Sequence, residues 1–142
     1  MKALITGASS GIGRDIAREL SARGCDLILT ARRTDRLEEL QKELPTQVRV
    51  IGADLSREAE CFRLHEETAP EKIDILINDA GFGVFGPFTE TELKRELSMM
   101  DVDIRALHIL MKLFLRDFTA RNSGRILNVA SSAAFQPGPL LS

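Results

Sequence analysis

The chain has 142 residues, 44% of them apolar and 28% charged, with a formal net charge of -2, which is one domain's worth of an ordinary globular composition. That balance gives no reason to expect nucleic acid or a membrane as partner, no apolar run approaches the length of a membrane span, and Ala3-Leu4-Ile5 is too short for a signal peptide. A cytoplasmic address is therefore expected, and Cys25 and Cys61, too few and unpatterned for a disulfide framework or metal site, read as packing or surface thiols.

Along the chain, short apolar runs alternate with helical stretches: KALIT then IGRDIARELSARG, DLILT then DRLEELQKEL, QVRVI then SREAECFRLHEET, IDILIN then a long amphipathic segment, and RILNVA last. Alternation of this kind predicts a doubly wound α/β fold with a parallel sheet. The strand runs are continuously apolar, as strands covered on both faces require. Asp35, followed by Glu38, is expected to cap one helix, Pro45 to stop it after Leu44, and Ser56 to cap the next. From Thr91 to Ala120 the spacing predicts a single helix, with Leu93, Leu97, Met100, Ile104, Leu107, Met111 and Phe114 on one apolar stripe.

Directly after the first strand, Thr6-Gly7-Ala8-Ser9-Ser10-Gly11-Ile12-Gly13 opens into a helix. A tight glycine turn there aims backbone N–H groups and the positive end of the helix dipole at an anion such as a dinucleotide pyrophosphate. The spacing is G-x-x-x-G-x-G rather than the general G-x-G-x-x-G. In NAD-binding folds an acidic residue about 20 positions past the glycines accepts from the ribose hydroxyls. That count from Gly11 reaches Ala31, which is followed by Arg32 and Arg33 instead of a carboxylate. An arginine fork suits a 2'-phosphate, so NADP(H) is the expected cofactor. The bland reading makes both arginines solvated loop residues.

At this point the sequence resembles the short-chain dehydrogenase/reductase family, whose cofactor loop reads TGxxxGxG, and the resemblance covers the whole chain. It implies a Rossmann-like domain, with Gly7, Ser9, Ser10, Gly11, Ile12 and Gly13 at the cofactor and Arg32, with Arg33 beside it, at the 2'-phosphate. Asp54-Leu55 resembles the adenine-contacting pair. Asn78-Asp79-Ala80-Gly81 resembles the NNAG motif with Asp79 in place of its second asparagine, so Asn78, Ala80 and Gly81 are cofactor-binding candidates. Asn128-Val129-Ala130-Ser131 resembles the strand leading to the catalytic serine, which implies Ser131 as the residue that orients a substrate carbonyl. Ser132 beside it is the alternative. Asp103 stands where the long helix carries the family's relay asparagine, although a solvated helix carboxylate is the plain alternative. An ionised Asp only accepts hydrogen bonds whereas Asn also donates, so neither replacement is neutral.

The family's proton-transferring tyrosine and its lysine belong to a Y-x-x-x-K motif that the resemblance places beyond Ser142, with a further helix and two strands. The 142-residue domain is thus expected to be the cofactor half of an NADP(H)-dependent oxidoreductase, incomplete on its C-terminal side, inactive alone, and forming a homo-oligomer, dimer or tetramer, at full length. The substrate class is a small-molecule carbonyl or secondary alcohol. A non-catalytic nucleotide-binding module is the competing reading, and an epimerase or dehydratase on the same fold a third. His65 reads as a surface residue, and His108, one position from the apolar stripe, has no second His or carboxylate at helical spacing to form a metal pair. Phe82, Phe85, Pro87 and Phe88 form either the mouth of a substrate pocket or a hydrophobic cover.

Overall fold

The computed structural model describes residues 1–136 and 138–140. Five parallel strands, β1 (Lys2–Thr6), β2 (Asp26–Ala31), β3 (Val48–Gly52), β4 (Ile75–Asn78) and β5 (Arg125–Asn128), form one sheet in the order β3-β2-β1-β4-β5. Helices α1 (Gly11–Ala22), α2 (Thr34–Glu43) and α3 (Glu58–Thr68), then α4 (Leu93–Met100) and α5 (Leu107–Ala120), make the crossovers. The chain winds outward from β1 to β3, returns, and continues on the other side of β1 through β4 and β5. Strand order therefore reverses at β1, and a crevice opens at the carboxyl ends of the strands there.

Side-chain alternation along the strands divides the core between the two faces of the sheet. Leu4, in register with Ile28 and Leu76, packs with Cys61, Leu64, Leu110 and Phe114 of α3 and α5. One residue on, Ile5, in register with Leu29 and Ile77, packs with Ala17, Leu37 and Leu40 of α1 and α2. Both cysteines are buried and free. Burial pushes the Cys61 thiol up to about 11, so it remains unreactive near neutral pH.

Several local expectations are corrected. The tract from Thr91 to Ala120 is interrupted by a π-helical turn, Asp101–Ala106, between α4 and α5. That wider turn breaks the 3.6-residue phase, and the apolar positions on its two sides fall on different faces. Leu93, Leu97, Met100 and Ile104 are exposed, while Ala106, Leu110, Phe114 and Phe118 face the core. Of the predicted stripe only Phe114 is fully buried.

Neither predicted cap forms. Helix α2 begins at Thr34 with Asp35 inside its first turn, a position that favours the dipole without capping. Helix α3 begins at Glu58, and the Ser56 hydroxyl instead donates to Asp54 Oδ1 at 2.7 Å. The stop at Pro45 holds, since Leu44 is extended at ψ 135°, as the residue before a proline must be. His65 is half-buried rather than on the surface. Its Nε2 lies 2.7 Å from Asp117 Oδ2, and its ring meets Phe114 edge-on at 5.0 Å, which ties α3 to α5. Among the described residues no helix is long and apolar enough to cross a membrane.

Candidate functional site

A hollow of about 460 Å³ lies at the point of strand reversal, between the glycine loop and the carboxyl ends of β2, β3 and β4. Its floor is the turn from Gly7 to Ile12. Gly7 sits at φ +73°, and a Cβ there would fall 2.8 Å from the backbone of Ala80, so no other residue allows the loop to approach the end of β4. The Thr6 hydroxyl completes this junction by accepting from the backbone N–H groups of Asp79 and Ala80, each at 3.1 Å.

Helix α1 points its N-terminus into the hollow. Ser10 at the cap is extended and makes no side-chain capping bond, and the first turn contains no acidic residue. The first backbone N–H groups of a helix lack intrahelical acceptors, so this end presents donors and positive dipole to whatever enters.

Gly7, Ser9, Ser10, Gly11, Ile12, Arg32, Arg33, Asp54, Leu55, Ala80 and Gly81 all line the hollow, so the structure brings together most of the candidate cofactor residues. Gly13 does not line it. It lies beneath, where a Cβ would be 2.4 Å from Asp79 Oδ2, and its N–H donates to that carboxylate. The third glycine thus makes room for the Asp79 side chain. Asn78 is likewise buried below the hollow. Its Nδ2 donates to Asn128 Oδ1 at 2.9 Å across the β4–β5 pair, and its own Oδ1 has no partner among the described residues.

The two replacement carboxylates play parallel parts. Asp103 lies in the π-helical turn, and its Oδ1 accepts from the Phe82 N–H at 3.0 Å; it therefore anchors the loop after β4 to the helix. Burial raises the titration range of both Asp79 and Asp103 above the ordinary value, and the bonds from Gly13 and Phe82 offset this only in part. The folded chain therefore holds a proton on Asp103 at pH values where the unfolded chain has lost it, and stability falls as pH rises through that window. Asp103→Asn keeps the acceptor for Phe82 and removes the buried charge. At pH 7 we expect its urea midpoint to exceed that of the wild type, with the gap narrowing as pH falls toward about 4. A midpoint difference that does not change with pH contradicts the burial cost.

Ser131 stands apart from the hollow, beyond the end of β5, and is exposed. It caps the short 3₁₀ turn Ser132–Ala134, accepting from the Ala133 N–H at 3.1 Å. Ser132 belongs to that turn. Ala31, Ala53, Phe82 and Val102 also line the hollow, none of them a cofactor-binding candidate in the sequence. Ala31 and Ala53 sit at the ends of β2 and β3, a position that was signal enough for them, whereas Val102 enters from the π-helical turn, which the sequence pattern does not show. Phe82 was weighed only as part of a substrate mouth, yet the Arg32 guanidinium carbon lies 6.0 Å from the centre of its ring. Among the described residues no group of three or more His, Cys, Asp or Glu side chains is placed to hold a metal ion.

The model of the short chain dehydrogenase family matches residues 1–142. An uncharacterized oxidoreductase of Staphylococcus epidermidis is 32% identical over 137 residues, which cover 95% of this chain and 60% of that protein. Among solved structures, a short-chain dehydrogenase from Sphingobium yanoikuyae in complex with NADPH is 33% identical with a TM-score of 0.88, over 96% of this chain and 55% of that one. A bulky-bulky ketone specific alcohol dehydrogenase from Comamonas testosteroni is 31% identical with the same TM-score of 0.88, over 96% of this chain and 57% of that one. The chain thus spans less than two thirds of the length of the relatives it matches. With the sheet order, the glycine turn and the family match in agreement, the chain belongs to the short chain dehydrogenase family.

Proposed function

We propose that the protein is an NADP(H)-dependent oxidoreductase acting on a carbonyl or secondary alcohol, with the described hollow as its cofactor cleft. The observation that carries the reading is a pair of arginines, Arg32 and Arg33, at the end of β2, lining the same hollow as a helix N-terminus whose own first turn carries no acidic residue. The residues present fit a phosphorylated dinucleotide. The amides of Ser9 to Ile12 would hold the pyrophosphate, Arg32 with Arg33 the 2'-phosphate, and Asp54 with Leu55 the adenine. When bound, the nicotinamide supplies or accepts the hydride.

Ser131 would orient the substrate oxygen. Its Oγ lone pair is engaged by the Ala133 N–H, which leaves its own proton to be donated to a carbonyl. Asp103 would act behind the cleft, fixing the loop at Phe82. The exposed apolar side chains Leu97, Met100, Ile104 and Leu115 support self-association of the full-length protein through this face.

The test is the cofactor preference of the protein at its full length. Calorimetric titration is expected to give tighter binding of NADPH than of NADH by about 1.5 to 3 kcal/mol, the size of a charge-assisted contact. Arg32→Ala should remove most of that gap. Equal wild-type affinities for the two cofactors would refute the 2'-phosphate assignment.

A further inference from the structure

The Arg32 guanidinium lies over the Phe82 ring at 6.0 Å, and the two residues leave the sheet on opposite sides of β1. Arg32 follows β2, Phe82 follows β4, and β1 lies between these strands. Neighbouring strands are about 4.8 Å apart, so the contact reaches over one whole strand. Both residues line the same hollow as the glycine loop, and their contact therefore joins its β2 side to its β4 side. The Phe82 end is firmly placed, because its N–H is held by Asp103 Oδ1 at 3.0 Å. Arg32 is the long partner, on an exposed position.

A cation stacked on a ring satisfies none of its five N–H donors, whereas a phosphate accepts from two of them at once. Stacking leaves the in-plane N–H donors free, so what sets the two placements against each other is reach: the contact with Phe82 draws the guanidinium from the end of β2 toward the β4 side of the hollow. We propose that Phe82 is a specificity-determining positioning residue that competes for Arg32. In the nucleotide-free protein its ring draws the guanidinium across the cleft, and a ligand bearing a 2'-phosphate must take it back. Phe82 thus lowers the preference for the 2'-phosphate below what Arg32 alone would give. The inference rests on the assignment of Arg32 to the 2'-phosphate made above.

The experiment is calorimetric titration of the full-length protein with 2',5'-ADP and with 5'-AMP, which differ in the 2'-phosphate and carry no nicotinamide to touch Phe82 elsewhere. Phe82→Leu is expected to raise the ratio of the two affinities about two- to fivefold, the worth of an exposed cation–π contact. Phe82→Trp, which offers a stronger ring, should lower the ratio, and this opposite sign tests the idea independently should the leucine variant fold poorly. In an Arg32→Ala background Phe82→Leu should leave the ratio unchanged. A ratio that stays constant or falls in Phe82→Leu, or rises equally without Arg32, overturns the competition while leaving the 2'-phosphate assignment standing. A wild type that binds both ligands equally overturns both.

Discussion

Ser131→Ala, in the protein at its full length, is expected to lower turnover of a ketone by about 10²-fold or more while leaving NADPH affinity unchanged. The substitution removes the hydroxyl proton that would be donated to the substrate oxygen, and loss of one preorganised donor at a developing charge costs about that much. Because the effect belongs to the transition state and not to cofactor binding, it should appear in kcat rather than in the NADPH dissociation constant. Ser131 Oγ also accepts from Ala133, so the local 3₁₀ turn loses its cap and a small loss of stability, about 1 kcal/mol, accompanies the change. Ser132→Ala is the control. If it, and not Ser131→Ala, abolishes turnover, the neighbouring hydroxyl carries the role.

Gly7→Ala should destabilise the fold by about 3 kcal/mol or more, through two separate costs. A left-handed backbone disfavours any Cβ by roughly 1–2 kcal/mol, and overpacking adds about 1–3 kcal/mol. At Gly7 both apply, with φ +73° and a Cβ only 2.8 Å from the Ala80 backbone, which cannot rotate aside as a side chain could. Gly11 isolates the first cost, since it has φ +57° but open space around its Cβ. Gly11→Ala should therefore cost only about 1–2 kcal/mol. Urea unfolding of both variants measures the difference, and equal losses would mean that the close approach of the glycine loop to β4 is not what fixes Gly7.

Much of this arrangement was legible in the sequence because its causes are local. Buried parallel strands must be continuously apolar, and β1 and β2 read that way. The glycine turn announced itself by its place between a strand and a helix, and the arginines by the lack of a carboxylate at Ala31. What escaped depends on contacts remote in sequence. The π-helical turn at Asp101–Ala106 leaves a 3.6-residue pattern intact over each side, so the periodicity extended one stripe through it and placed Leu93 to Ile104 on the wrong face. Ser56 has the chemistry of a cap, but Asp54 two residues earlier takes its hydroxyl. Gly13 read as a cofactor contact, whereas what it accommodates is the carboxylate of Asp79, 66 positions along the chain. The reach of Arg32 to Phe82 is likewise set by strand order, which no single stretch of sequence contains.

A cleft that serves a reaction, and not binding alone, must turn its cofactor over. The most direct measurement mixes the full-length protein with NADPH and a panel of ketones and aldehydes and follows loss of the reduced nicotinamide absorbance, with NADH in parallel. Carbonyl-dependent oxidation of NADPH is expected, faster than that of NADH at equal concentration. Tight binding of NADPH with no oxidation above background by any carbonyl, and no reduction of NADP by the corresponding alcohols, would contradict a catalytic cleft and leave a nucleotide-binding module in its place.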